Sequence, residues 1–356
     1  MKARIVIGAN YGDEGKGTVT ARLTKEANGT VLNVLTNGGA QRGHSILTKD
    51  GSITFQHFGS GTYHGADNYY SRFFILNPMQ FVKEYNSLIV KPNIFRDKYC
   101  KWSTPFDMMA NHIEQENRKM KASCRMGIWN TIKRYHNTPF SMPFDDFITK
   151  LDQEERLEFL NKIKKYYESL ITIPDKWKDA WNGEYLKEHF IADCMFMFNR
   201  TYVWELSQLP YDNLIFENGQ GLLLSDIGKD SFDTTPSLTG IEYSKTLLKE
   251  LNVKDITAHY VTRPYLTRHG AGLLEQACRK ETISSSVNED RTNHYNEGQG
   301  EFRFGLLDIN ALRDRIIENA GDVKFELDVT HCDEMDRISE FKKIFSKVNT
   351  YDNPLI

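Results

Sequence analysis

The sequence predicts an α/β fold with a central, mostly parallel sheet, contained in one domain spanning residues 1–356. Three observations predict it. Short apolar runs rich in β-branched residues end in glycine-rich or polar loops, helical patterns separate those runs, and no repeat, low-complexity tract or Pro/Ser-rich linker divides the chain. Ile5-Val6-Ile7 reads as a buried strand, residues 8–17 as a Gly-rich loop and 18–27 as a helix. Val31 to Leu35 reads as a second strand, followed by the turn Asn37-Gly38-Gly39. Residues 151–170 form the clearest helix, with Leu157, Leu160, Ile163, Tyr167 and Leu170 at three- and four-residue steps. There, Glu154, Glu155 and Glu158 precede Lys162, Lys164 and Lys165, a solvated face that suits the helix dipole. The aromatic stretch 177–204 reads as helical core. Later strands fall at Leu214–Glu217, Ile256–Thr262 and Phe325–Val329. Each ends near Gly or polar residues, and in open α/β sheets ligands gather at the carboxyl ends of strands.

Composition narrows the function. Lys+Arg number 45 and Asp+Glu 48, for a formal charge of −3, so bulk positive charge does not hold this chain to nucleic acid. Mean hydropathy is −0.54 and no run approaches a membrane span. The segment Met1 to Gly8 runs straight into a strand without the apolar stretch of a secretory signal. The five cysteines, Cys100, Cys124, Cys194, Cys278 and Cys332, form no CxxC pair. That pattern argues against a disulfide framework and fits a reducing cytoplasm.

Two segments carry the chemistry. Gly12-Asp13-Glu14-Gly15-Lys16-Gly17-Thr18 resembles a P-loop but fails the GxxxxGK[ST] pattern. Its glycines let backbone N–H groups approach a phosphate, and the following helix N-terminus adds positive potential. Lys16 can neutralise phosphoryl charge. Asp13 beside phosphates repels them unless it holds Mg²⁺ or takes a proton. Read alone, the motif also fits a generic Gly-rich turn with a solvated Asp-Glu pair, the lesser of the two readings. The second segment, Gln41-Arg42-Gly43-His44-Ser45, follows the second strand and places a histidine where it can reach the same phosphate.

Together these segments resemble adenylosuccinate synthetases, whose signature is a strand, GDEGKG, a second strand and an NAGHT-type turn. The resemblance continues in order: Phe216-Glu217-Asn218-Gly219-Gln220-Gly221 for FEGAQG, Thr234-Thr235-Pro236-Ser237 for VTSS, and Thr267-Arg268-His269-Gly270-Ala271-Gly272 for TRVGAG. Gly305-Leu306-Leu307-Asp308 stands for GWLD and Val329-Thr330-His331-Cys332-Asp333 for the LTKLD base-recognition turn. The resemblance implies the adenylosuccinate synthetase fold, a P-loop-NTPase-like architecture, and a homodimer. It also implies a Mg²⁺-dependent ligase that removes the N1 proton of a 6-oxopurine nucleotide and phosphorylates O6 from a nucleoside triphosphate. The amine of L-aspartate then displaces phosphate. By resemblance, Asp13 is the base and a metal ligand with the carbonyl of Gly43, His44 donates to the transferring phosphoryl group, and Lys16 balances its charge. Gly12, Glu14, Gly15, Gly17, Thr18, Asn37, Gln41, Gln220, Thr235, Thr330 and Asp333 would bind nucleotide or phosphate. Ser123, in a stretch matching TTGxGIG, would bind the 5′-phosphate, and Arg134 would reach into the partner subunit's site.

Three features depart from the pattern. The chain is shorter than the usual bacterial enzyme and its ending lacks the STGPxR-type turn. The TTGRRRR loop that grips aspartate reads Asn296-Glu297-Gly298-Gln299-Gly300-Glu301-Phe302-Arg303-Phe304, leaving Arg303 as one carboxylate partner, with Arg268 as a further candidate. His331 replaces the lysine of the guanine-recognition turn, which suits ATP or dATP as donor as well as GTP. These departures match the short phage, PurZ-type, branch of the family, which acts on dGMP and supplies 2-aminoadenine for DNA. The retained Asp13 favours the ordinary IMP enzyme, and the reading leans to dGMP. An alternative of another class is a P-loop-like nucleotide-binding regulator without ligase activity. The retained His44 speaks against it, because a switch protein needs no histidine at the phosphoryl position.

Overall fold

The computed structural model describes all residues except 50, 120–122, 138, 226–232, 285–286, 288–296 and 353–356. Nine strands build the main sheet: β1 (Lys2–Gly8), β2 (Val31–Leu35), β3 (Asp67–Tyr70), β4 (Ile94–Arg96), β5 (Tyr202–Val203), β6 (Asn213–Gly221), β7 (Asp255–Thr262), β8 (Phe325–Val329) and β9 (Val348–Thr350). Their spatial order is β9-β8-β7-β1-β6-β2-β3-β4-β5, and every neighbouring pair is parallel. Parallel strands need helical crossovers that cover both faces, which is why β1, β6 and β7 read as near-continuous apolar runs. β1 is central, flanked by β6 and β7, so the loops leaving β1, β2 and β6 converge at one edge of the sheet.

Helix α1 (Lys16–Glu26) begins two residues earlier than the sequence predicts, because Gly15 in the left-handed region (φ 92) serves as its N-cap. Its first turn lies tight on the hairpin strand His44–Thr48: a Cβ on Gly17 would sit 2.7 Å from the Ser45 carbonyl. The pairing of β1 with β6 shifts between Val6 and Gly8, where Asn218–Gln220 bulge out of the ladder with Gln220 at φ 65.

The helix Gln153–Glu168 matches the periodicity, opens with an Asp152–Glu155 capping box, and carries a Glu158–Lys162 pair at 2.8 Å on its exposed face. The stretch 177–204 is helical core as far as Phe198, and its end corrects the expectation. It breaks at Gly183 into Asp175–Asn182 and Glu184–Phe198, then extends into the edge strand β5. Trp181 and Phe190 are buried there, whereas Trp204 is exposed. One apolar core packs on β1, β6, β7 and β8, and a second joins β2 and β3 to the helices between residues 78 and 198. All five cysteines are free thiols. Among the described residues no helix is long and apolar enough to cross a membrane.

Candidate active site

The loop after β1 is braced from inside. Glu14 is buried, and its Oε1 accepts from the backbone N–H of Gly12 at 2.8 Å and of Asn10 at 3.2 Å. Lys16 is sealed beneath the loop, donating to the Gly12 carbonyl at 2.6 Å with its ammonium 4.0 Å from the Glu14 carboxylate. Burial raises the Glu14 pKa and lowers that of Lys16. Gly12 adopts φ 105 against the backbone of Gln220, a conformation that suits glycine. Thr330, at the end of β8, donates to the Glu14 carbonyl at 2.6 Å, and Arg263 holds the Asp13 carbonyl at 2.7 Å. Asp13 is thus fixed through its backbone while its half-buried side chain lines the cavity described below.

His44 sits on a buried network. Its Nδ1 is 2.7 Å from Glu217 Oε1, and that carboxylate also accepts from Ser60 Oγ at 2.6 Å and Ser60 N–H at 2.9 Å. Arg42 Nη2 lies 3.2 Å from Glu217 Oε2. Nδ1 lies between this acceptor-only carboxylate at 2.7 Å and the donor-only Arg42 Nη2 at 2.9 Å. The shorter contact, to the charged carboxylate, puts the proton on Nδ1, so the Arg42 approach to Nδ1 is no hydrogen bond and Nε2 is the free ring nitrogen. Burial and the Arg42 cation lower the His44 pKa to about 4. Burial opposes ionisation of Glu217, but His44, Arg42 and Ser60 hold its pKa down at about 2. The ring is therefore neutral and the carboxylate charged at neutral pH.

Loops from three strands enclose a cavity of about 470 Å³. Gly12, Asp13, Gln41, Gly43, His44 and Gln220 all line it, so the structure brings together six predicted residues from three separated segments. Mg²⁺ favours one or two carboxylates, several waters and substrate phosphates over an all-protein cage. The half-exposed Asp13 and the exposed Gly43 on one wall fit an ion that arrives with phosphate, and among the described residues no group of three or more His, Cys, Asp or Glu is placed to hold a metal ion by itself.

Other predicted residues take framework positions. Asn37 spends both ends of its amide on Gly219, accepting its N–H at 2.7 Å and donating to its carbonyl at 3.1 Å. Thr18 is buried in the first turn of α1. Thr235 is buried, and its N–H bonds the Leu224 carbonyl at 2.8 Å. Ser123 donates to Asn111 at 3.1 Å, and Asp333 is exposed beyond the end of β8. Arg134 corrects an expectation. Its guanidinium is fully buried against Asp107 at 2.9 and 3.0 Å and donates to the carbonyls of Phe140 and Trp102, each at 2.7 Å. A side chain held this way does not reach a partner subunit.

Arg268 and Arg303 are cross-strand neighbours in an antiparallel ribbon, Leu266–His269 with Phe302–Gly305, whose His269 lines the cavity. Arg268 lies 5.0 Å over the Tyr11 ring and donates to the Leu273 and Asp233 carbonyls at 2.5 Å. Arg303 donates to the Gly270 carbonyl at 2.6 Å, and the Nε of each is buried without a hydrogen-bond partner.

Residues 5–346 match the family model described as adenylosuccinate synthetase. The chain belongs to the adenylosuccinate synthetase family. Relatives are distant. An adenylosuccinate synthetase of Wigglesworthia glossinidia brevipalpis is 25% identical over 95% of this chain and 79% of its own length. One from Dehalococcoides mccartyi is 24% identical, and the match spans 67% of this chain but only 57% of that relative. Among solved structures, fully ligated adenylosuccinate synthetase from Plasmodium falciparum shares the fold at TM-score 0.73 and 18% identity, covering 94% of this chain and 78% of that one. Cyanophage S-2L succinoaminodeoxyadenylate synthetase (PurZ), bound to dGMP and dATP, shares it at TM-score 0.65 and 11% identity, covering 99% and 93%.

Against the family pattern, Glu217 and Arg125 are among the site residues that escaped the sequence reading. Glu217 lies in the FEGAQG-type stretch, but only the fold shows that it faces His44. Arg125 lines the cavity and donates to the Glu297 carbonyl at 3.1 Å from a left-handed backbone, φ 64. It stands where the TTGxGIG turn has its first glycine, and an arginine at a glycine position was the available signal.

Proposed function

We propose that this chain is a purine nucleotide–aspartate ligase whose preferred substrate is dGMP, with ATP or dATP as phosphate donor. The observation that carries the reading is the convergence of Asp13, His44 and Gln220 on one cavity. Asp13 takes the N1 proton, and O6 attacks the terminal phosphorus as the bridging P–O bond breaks and the nucleoside diphosphate leaves. His44, its Nδ1–H fixed on Glu217, takes a second proton on Nε2 from solvent as the phosphate charge enters the cavity and donates it to the transferring phosphoryl group. The amine of L-aspartate then attacks C6, and phosphate departs. Asp13 and the Gly43 carbonyl would hold Mg²⁺, which when bound supplies charge neutralisation of the phosphates. The same reading carries cytoplasmic action and a homodimer, as the family resemblance implies.

The arginine-poor loop supports dGMP because it offers few cations to a 2′-hydroxyl. His331, in place of the lysine of the guanine turn, supports an adenine donor. The cyanophage protein that shares this fold pairs the same two nucleotides. One observation favours IMP with GTP instead: Asp13 is retained on the cavity wall. The reacting edge, N1 and C6=O, is identical in IMP and dGMP, so selection falls to the walls around C2 and C2′. A pocket with acceptors for the 2-amino group leaves them unpaired with IMP, at about 1–3 kcal/mol each. Turnover of IMP, GMP, dGMP and dIMP, each with aspartate and ATP, should give dGMP the highest kcat/KM, with GMP no better than dGMP. Good conversion of IMP with none of dGMP makes this an ordinary adenylosuccinate synthetase.

Arg303 supplies a second test. Two carboxylates on aspartate need cationic partners, and the Arg268–Arg303 ribbon places two guanidinium groups side by side. Arg303→Leu should raise the KM for aspartate about tenfold or more, the scale of one charged hydrogen bond, and leave that for the nucleotide near wild type. An unchanged aspartate KM moves the amino-acid site elsewhere.

A further inference from the structure

Arg42 occupies the position of the small alanine in the NAGHT-type turn, and its environment is unusual for an arginine. The side chain is 1% exposed and borders the cavity. Nη2 lies 3.2 Å from Glu217 Oε2 and 2.9 Å from His44 Nδ1, and the side-chain carbons pack against Gly219. Nε and Nη1 are buried with no hydrogen-bond partner. A buried guanidinium with two unpaired donors is a poor stabilising device, and Glu217 would keep three donors from Ser60 and His44 without it. What Arg42 adds is completion of the acceptor set. Oε1 takes His44 Nδ1–H and Ser60 O–H, while Oε2 takes Ser60 N–H and Arg42, so the carboxylate cannot rotate away from the ring.

We propose that Arg42 is a positioning residue for phosphoryl transfer, locking the Glu217 carboxylate so that His44 holds one tautomer, Nδ1–H, with Nε2 toward the substrate. The inference deepens the ligase reading and rests on it for its kinetic consequence. Small displacements of a reacting group cost up to about 100-fold in rate. Arg42→Gln keeps most of the volume without the charge. It should lower kcat about 10- to 100-fold with the KM of nucleotide and aspartate within about twofold. Arg42→Lys, which keeps a cation on Glu217, should recover most of that loss. Acting through the same carboxylate, Arg42→Gln combined with Glu217→Gln should be no slower than Glu217→Gln alone.

Nitrogen-15 NMR of the His44 ring gives a readout that needs no turnover. The wild-type ring should show Nδ1–H only, and Arg42→Gln should show a mixture of tautomers. A wild-type ring in the Nε2–H form overturns the proposal without any variant. So does an unchanged ring in Arg42→Gln, or additive losses in the double variant. A chain that ligates nothing but loses its single tautomer in Arg42→Gln overturns the ligase reading and supports the positioning role.

Discussion

Removing the His44 ring or the Asp13 carboxylate is expected to lower kcat by about 10²- to 10⁴-fold each, the range for groups that move or hold a proton in the transition state. The structure separates this loss from misfolding. In His44→Ala, Glu217 keeps the Ser60 N–H, the Ser60 hydroxyl and Arg42, so no buried carboxylate is stranded. In Asp13→Ala, the bond from Arg263 survives because it is made to the main-chain carbonyl. Both variants should therefore melt near wild type, and the loss should appear in kcat more than in the KM for aspartate. Near-native turnover in either variant removes that residue from the mechanism. A collapse of folding in His44→Ala would show that the Glu217 network depends on the ring after all.

Much of the fold was legible because its signals are local. β8 falls on Phe325–Val329 as its apolar run predicts, and the Gln153–Glu168 helix follows its three- and four-residue spacing. The missed break at Gly183 has a local cause that aromatic periodicity hides: a glycine caps one helix and opens the next. The site was legible where a motif and a strand end coincide, as for Asp13, Gly43, His44 and Gln220. It was not legible where long-range packing decides. Glu217 is 173 residues from His44 in sequence, and only the adjacency of β6 to the hairpin loop joins them. Lys16 and Asn37 have the residue types of ligand contacts, yet both spend their polar atoms on backbone groups that shape the loops. Sequence spacing cannot distinguish a side chain that binds a ligand from one that builds the wall behind it.

Arg134 tests that distinction with the largest expected effect on stability. Its bidentate pair with Asp107 is completely buried, and Asp107 also accepts from Tyr167 O–H at 2.5 Å and from the N–H and hydroxyl of Thr104 at 2.6 and 2.8 Å. Thr104 caps the helix Pro105–Arg118, so one carboxylate ties that helix start to Arg134 and Tyr167. Burial opposes the guanidinium charge, but Asp107 outweighs it and raises the Arg134 pKa. Arg134→Ala leaves a buried carboxylate short of its cation, and the buried Trp102 carbonyl and the half-buried Phe140 carbonyl without their donor. The expected destabilisation is about 3–5 kcal/mol, measured as a fall in unfolding free energy by denaturant titration. Arg134→Lys should recover only part of it, since an ammonium cannot make the bidentate pair and reach both carbonyls. At a temperature where the variant remains folded, its KM for the nucleotide should match wild type. The opposite result, wild-type stability with lost activity, restored by mixing with subunits inactivated at His44, would return Arg134 to a shared active site. A pair sealed this far from solvent predicts the first outcome.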